Sequence, residues 1–421
     1  MVSIIVVLLC LVTLVGLVAA GGELSSRIGK LLVAGFVLRL LALAGARNVE
    51  LFSHAAGGDA NLYEEYARLI ALYWERHGLT YITMKELPEV GRTSLPPNLF
   101  AFVIYLNGGP AIVGCTALCA LTACLTLYNF FTLALELGAE RRVAERVTTV
   151  LLFAPSFMLY TSDMYKDGLV WFFTLGAVGS AFRLSRRFSL LHLVFGALCL
   201  WAVWYVRYYL VFVCLAPLLV GVLGIGGKSL FRVLISSVAV IVAVGALASY
   251  THALDDLNDT AQEAYGIATS RHVVVANAHG GSGVMFDDGG RATGALHIKL
   301  LYTLFAPFPW QGGSFGLHVG KIDTVIWYYL LYRCVHASRR LWRENRALLV
   351  AFLSFLIPLS VAYATSVSNV GLVLRQRMPV VLIGALLATL GWAQSQPQPQ
   401  LATVEDEPDE DDASDNAEAI S

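Results

Sequence analysis

From Val2 to Ala20 the chain carries not one charged side chain, and apolar runs closed by short polar connections then recur as far as residue 393. A helix of such a run crosses about 30 Å of hydrocarbon, and in lipid only helices or a closed barrel satisfy the backbone. Eleven candidate spans follow, near residues 2–20, 28–46, 110–137, 147–162, 168–182, 189–206, 208–225, 233–250, 323–337, 347–364 and 379–393. The sequence therefore predicts an all-α integral membrane protein, with residues 1–393 forming one polytopic domain of about eleven transmembrane helices. A composition of 57% hydrophobic and 14% charged residues, with a mean hydropathy of +0.67, excludes an ordinary soluble domain. No lysine or arginine precedes the first run, which reads as a retained helix and not a cleaved signal peptide.

Charge orients the spans. Five connections are basic: Arg27 and Lys30; Arg141, Arg142 and Arg146; Arg183, Arg186 and Arg187; Lys228 and Arg232; Arg339, Arg340, Arg343 and Arg346. With eleven crossings all five fall on one side, which the positive-inside rule makes cytoplasmic. The segment 394–421 joins them there as a disordered acidic tail: nine of the 30 acidic residues lie between Glu405 and Glu418, and the remaining 21 against 29 basic ones leave the body at +8. All seven cysteines fall inside apolar runs, where buried thiols are expected and neither disulfides nor metal ligands. The outer face carries two long loops, about 47–109 and 251–322. Each holds an apolar piece too short to span, "LFAFVIYL" and "LLYTLFAPFPW", suited to interfacial or re-entrant helices.

The unusual polar residues gather at that outer face. In "GGDANLYEEYA", Asp59, Tyr63, Tyr66, Ile70 and Tyr73 recur at steps of three and four on one face of an amphipathic helix, while Glu64 and Arg68 form an i, i+4 pair elsewhere on it. Asp59 is open to two readings, helix N-cap or catalytic acid. Asp163, Lys166 and Asp167 in "SDMYKDG" form either a structural ion-pair group or a phosphate contact. Arg207, amid Trp204, Tyr205, Tyr208 and Tyr209, is either an interfacial anchor or another such contact. Arg375 and Arg377, just before Pro379, place two guanidinium groups in an outer loop against the orientation bias, which suits bidentate binding of a lipid phosphate, with generic headgroup anchoring as the alternative. Arg39, inside the second span, must face a partner or a wet space. The outer-side histidines lack ligand spacing, "DDLND" reads as a solvated loop, and "HGGSG" lacks the context of a nucleotide loop, so no metal site is expected.

Taken in order, "GDANLY", "APSFMLYTSDMYKDGLVW", "YVRYYLV", "APFPW" and "SNVGLVLRQRMP" resemble bacterial polytopic glycosyltransferases of the GT-C type and related proteins of exopolysaccharide and O-antigen assembly, over roughly residues 30–393. The resemblance implies transfer of a sugar from a polyprenyl-phosphate-linked donor to a glycan or lipid acceptor on the outer face of a bacterial plasma membrane. It makes Asp59 the base. Tyr63, Asp163, Lys166, Asp167, Arg207, Arg375 and Arg377 become the substrate-binding set. The first outer loop has neither an Asp-Glu pair nor an Asp-x-Asp, so a divalent cation is not supported by motif. Expected partners are the lipid-linked donor, the acceptor and membrane lipids, with no nucleic acid. Two rival readings are a polysaccharide polymerase and a lipid-linked glycan flippase or non-catalytic assembly subunit.

Overall fold

A computed structural model describes residues 2–48, 53–91, 93–186, 188–222, 286, 294–313, 315–365, 367 and 369–392. Apart from a 3₁₀ turn at Pro88–Val90, the regular structure among these residues is α-helical, and no β-strand occurs among them. The helices are α1 (Val2–Ala20), α2 (Arg27–Asn48), α3 (Ser53–His77), α4 (Leu95–Asn107), α5 (Ile112–Glu136), α6 (Arg141–Leu152), α7 (Pro155–Leu159), α8 (Asp167–Arg186), α9 (Leu190–Arg207) and α10 (Tyr209–Val222). After an interval come α11 (Leu296–Phe305), α12 (Phe315–Glu344), α13 (Arg346–Thr365), α14 (Val370–Gln376) and α15 (Met378–Leu390).

Five of these, α1, α5, α8, α9 and α13, are long and apolar enough to cross a membrane. The pair α14 and α15, bent by 50° at Arg377, makes a sixth if it counts as one span. α2 and α12 cover the second and ninth expected spans with 22 and 30 residues but fall outside that set. The short apolar pieces of the outer loops are helices, α4 and α11. The expected eighth span, most of the loop 251–322 and the tail 394–421 lie outside the described residues.

The fourth expected span, 147–162, is not one helix. α6 ends at Leu152 and α7 begins at Pro155, because a proline here has no N–H to donate and forces the residue before it into an extended conformation, as Ala154 shows with ψ 128°. Arg39 occupies the break. Its Nη2 donates to the Leu152 carbonyl at 3.1 Å, its Nε to the Thr161 hydroxyl at 2.7 Å and its Nη1 to the Gly35 carbonyl at 3.0 Å. The Phe157 ring lies 5.3 Å from the guanidinium. These are the partners that a charge buried at 0% exposure needs, and they fix the segment leading from α7 to α8.

α1 buries Cys10, Leu14 and Val18, spaced by four, against its neighbours and leaves Ile4, Leu8 and Val12 exposed, as a helix bordering lipid should. α8 and α9, joined by three residues, run antiparallel, so Asp167 at the start of α8 lies level with Arg207 at the end of α9. α5 and α15 pack on α8. Glu136, the last residue of α5, bonds Arg183 at the far end of α8, and Glu23 bonds Arg141. The bundle thus has two chemically distinct ends. One carries the short basic connections with local ion pairs; the other carries Asp59, Lys166, Asp167, Arg207 and Arg375.

Candidate functional site

The site is built on the first turn of α8. Asp167 is fully buried there, at the positive end of the helix dipole. Gly168 makes this burial possible: a Cβ at that position would sit 3.1 Å from the Thr122 hydroxyl and 3.3 Å from the Cys119 carbonyl of α5. The Asp167 carboxylate takes Nε of Arg375 on Oδ2 at 2.5 Å and Nη2 of Arg207 on Oδ1 at 3.5 Å. Arg375 also donates through Nη1 to Asp59, so one guanidinium joins α3, α8 and α14. The rings of Tyr160 and Tyr165 lie 5.6 and 5.4 Å from its centre, which favours the cation on its remaining sides.

Asp59 is half-exposed, with 49% of its side chain accessible, whereas Asp167 has none. Burial works against the Asp59 charge, but Arg375, then Lys166 and Arg207, outweigh it and hold the carboxyl below its usual range. Tyr63, one turn further along α3, is buried against Ile70, Phe100 and Met164, and burial pushes its hydroxyl up, so it remains a hydrogen-bond donor. Lys166 lies over the Tyr63 ring at 5.6 Å, and its only polar contact among the described residues is the Thr93 hydroxyl at 3.4 Å. Next to Thr93, Asn98 clamps the chain, accepting from the Ile82 N–H and donating to the carbonyls of Ile82 and Ser94.

Two donors beside this group are buried without a partner among the described residues: Nη2 of Arg375 and the hydroxyl of Tyr165, whose ring lies against Arg375. Each such group costs about 1–3 kcal/mol where water cannot reach it. An anionic ligand would relieve that cost.

No protein-family model matches the chain, no curated protein is detectably similar to it, and no solved structure matches it.

The geometry gathers Asp59, Tyr63, Lys166, Asp167, Arg207 and Arg375 and leaves two expected members outside. Asp163 is engaged by Arg47 through two bonds, Nε to Oδ2 at 3.0 Å and Nη2 to Oδ1 at 2.8 Å, and Arg47 also takes Glu64 at 2.9 Å. The Glu64 to Arg68 pair expected from spacing is accordingly replaced by a tie between α2 and α3. Nor does Lys166 pair with its neighbouring aspartates, each being held by arginine. Arg377 does not join the site. It donates to the carbonyls of Leu304 at 3.0 Å and Ala306 at 2.9 Å, and to the Thr324 hydroxyl at 3.3 Å, and so caps the end of α11.

Asp59 is not an N-cap, because α3 starts at Ser53 and runs through Gly57 and Gly58 despite the roughly 1 kcal/mol that each glycine costs a helix. Arg207 is not an exposed anchor: it is buried at 7% exposure and turns toward Asp167. The structure adds Arg47, Tyr160 and Tyr165 to the neighbourhood. Arg47 carried a readable signal, being a further arginine in the expected outer loop, against the charge bias. Replacing Arg377 by lysine should lower the thermal midpoint, since a compact ammonium cannot reproduce the spread of a guanidinium over two carbonyls and a hydroxyl; an unchanged midpoint would show that Arg377 does not cap α11.

Proposed function

We propose that this chain is a membrane glycosyltransferase that moves a sugar from a polyprenyl-phosphate-linked donor to a glycan or lipid acceptor on the outer face of a bacterial plasma membrane, with about eleven spans and a cytoplasmic tail. The observation that carries the reading is the half-exposed Asp59 tied to a buried guanidinium that still has a donor to spare. A carboxylate open to an acceptor thereby stands beside groups suited to a leaving phosphate. The acceptor hydroxyl attacks the anomeric carbon, its proton passes to Asp59, and the bond from that carbon to the phosphate oxygen breaks with its electron pair left on the phosphate. Arg375, Arg207 and Lys166 face the charge that develops there and need no reorganisation to do so. The basic, locally paired end of the bundle supports the orientation.

One-sided placement of the charged group also separates this reading from a flippase, which needs charged groups along a path through the membrane. Membranes containing the chain, supplied with a panel of labelled polyprenyl-phosphate sugars, should transfer label to glycan or lipid and release polyprenyl phosphate. Label that stays on the carrier with every sugar of the panel removes the reading.

A further inference from the structure

The charges of the group balance without Lys166. Arg207 and Arg375 offset Asp59 and Asp167, all four within one connected set of contacts. Around Lys166 stand Asp59 and Tyr63 from α3, Asp167 from α8, Arg207 from α9, Arg375 from α14 and the Thr93 hydroxyl. Arg47 pairs with both Glu64 and Asp163 and takes these two carboxylates out of the balance. Among the described residues Lys166 makes no ion pair, and its two nearest arginines repel an ammonium. A bound monoanion would take the balanced group to one negative charge, and a protonated Lys166 would return it to neutrality.

We propose that the group binds a phosphodiester monoanion and that Lys166 takes up a proton when it does so. The inference deepens the transferase reading and rests on it in part, because a sugar linked through polyprenyl monophosphate is such a diester whereas a diphosphate-linked one carries a further charge. The unpartnered Nη2 of Arg375 and the Tyr165 hydroxyl supply donors for its two free oxygens. Without the anion, burial, then Arg207 and Arg375, push the amine down to about 7 against the pull of Asp167 and Asp59. The anion favours the charged form, so the bound-state value is higher. Affinity is therefore full below the free-state value, falls as pH rises above it, and levels off above the bound-state value.

The test is binding of dibutyl phosphate, whose charge is fixed over the range, to the full-length protein in non-ionic detergent. Affinity should be about tenfold or more weaker near pH 8.5 than near pH 6. Lys166→Arg keeps its charge throughout and should bind without that slope; Lys166→Met should bind weakly, also without it. A flat profile in the wild type, absence of binding, or a slope that survives in either variant overturns the proposal. Inorganic sulfate serves as the second arm and should bind less tightly than the diester; the reverse order overturns the assignment to an alkylated phosphate. Coupled binding of the diester by a protein that transfers no sugar would sink the transferase reading and leave this one standing.

Discussion

Arg375→Ala should destabilise the detergent-solubilised protein by about 3–5 kcal/mol, seen as a large fall in its thermal midpoint and a loss of monodispersity. The cost follows from Asp167, which has no exposure at all and would keep only Arg207, at 3.5 Å, as partner. Water cannot replace the missing guanidinium at that depth, so the carboxylate is left nearly uncompensated. Arg375→Lys should recover only part of the loss, since a single ammonium cannot hold Asp59 and Asp167 at once with the geometry of a planar fork. Adding Asp167→Asn to Arg375→Ala should recover more, because an amide is far cheaper to bury than an unpaired carboxylate. A midpoint for Arg375→Ala equal to that of the wild type would show that Asp167 is not held in the way described.

Asp59→Asn should act in the opposite sense, on rate and hardly on stability. Removing a general base costs typically about 10²–10⁴ in rate, and sugar transfer in reconstituted vesicles should fall within that range. Because Asp59 is half-exposed and an asparagine oxygen can still accept from Arg375, the thermal midpoint should stay close to that of the wild type. The pH sign is fixed by the ion pair. A carboxyl held below its usual range is ionised throughout neutral pH, so whatever Asp59 contributes to stability is present there and is lost only as pH falls through that lowered value. The acid limb of the transfer rate should accordingly lie below the ordinary carboxylate range. Undiminished transfer by Asp59→Asn would remove this residue from the mechanism.

How far these features were legible in the sequence depends on whether a local pattern or a distant contact decides them. Spans such as α1, α5 and α13 are fixed by long apolar runs and could be placed from the chain alone. The break between α6 and α7 was also written locally, in Pro155, but hydropathy averages over a single proline and hides it. The outer polar residues were recognisable as a set because they violate the charge bias or interrupt apolar segments. Their sorting was not. Arg375 and Arg377 look like a pair in the sequence, yet two helical steps turn a side chain by about 200°, so one points to Asp167 and the other to the α11 carbonyls. Likewise Glu64 has Arg68 at the right spacing and still goes to Arg47, because tertiary contact offers a second carboxylate to the same guanidinium. Lys166 could be found by type and position, whereas its lack of an ion pair follows only from the distant arginines that hold the nearby aspartates.

The link from Asp59 to Arg375 spans 316 residues of chain, and this distance has a meaning during synthesis. At about 5–20 residues per second, the ribosome needs roughly a quarter-minute to a minute after making Asp59 before its arginine exists. Asp167 is better provided, since Arg207 follows it by 40 residues and can shield it as soon as α8 and α9 form their hairpin. The nascent chain thus forms with Asp59 unguarded and Asp167 half-covered, and Arg375 of α14 supplies both missing contacts late in synthesis. A truncation before Arg375 leaves Asp59 without its arginine and Asp167 with Arg207 alone.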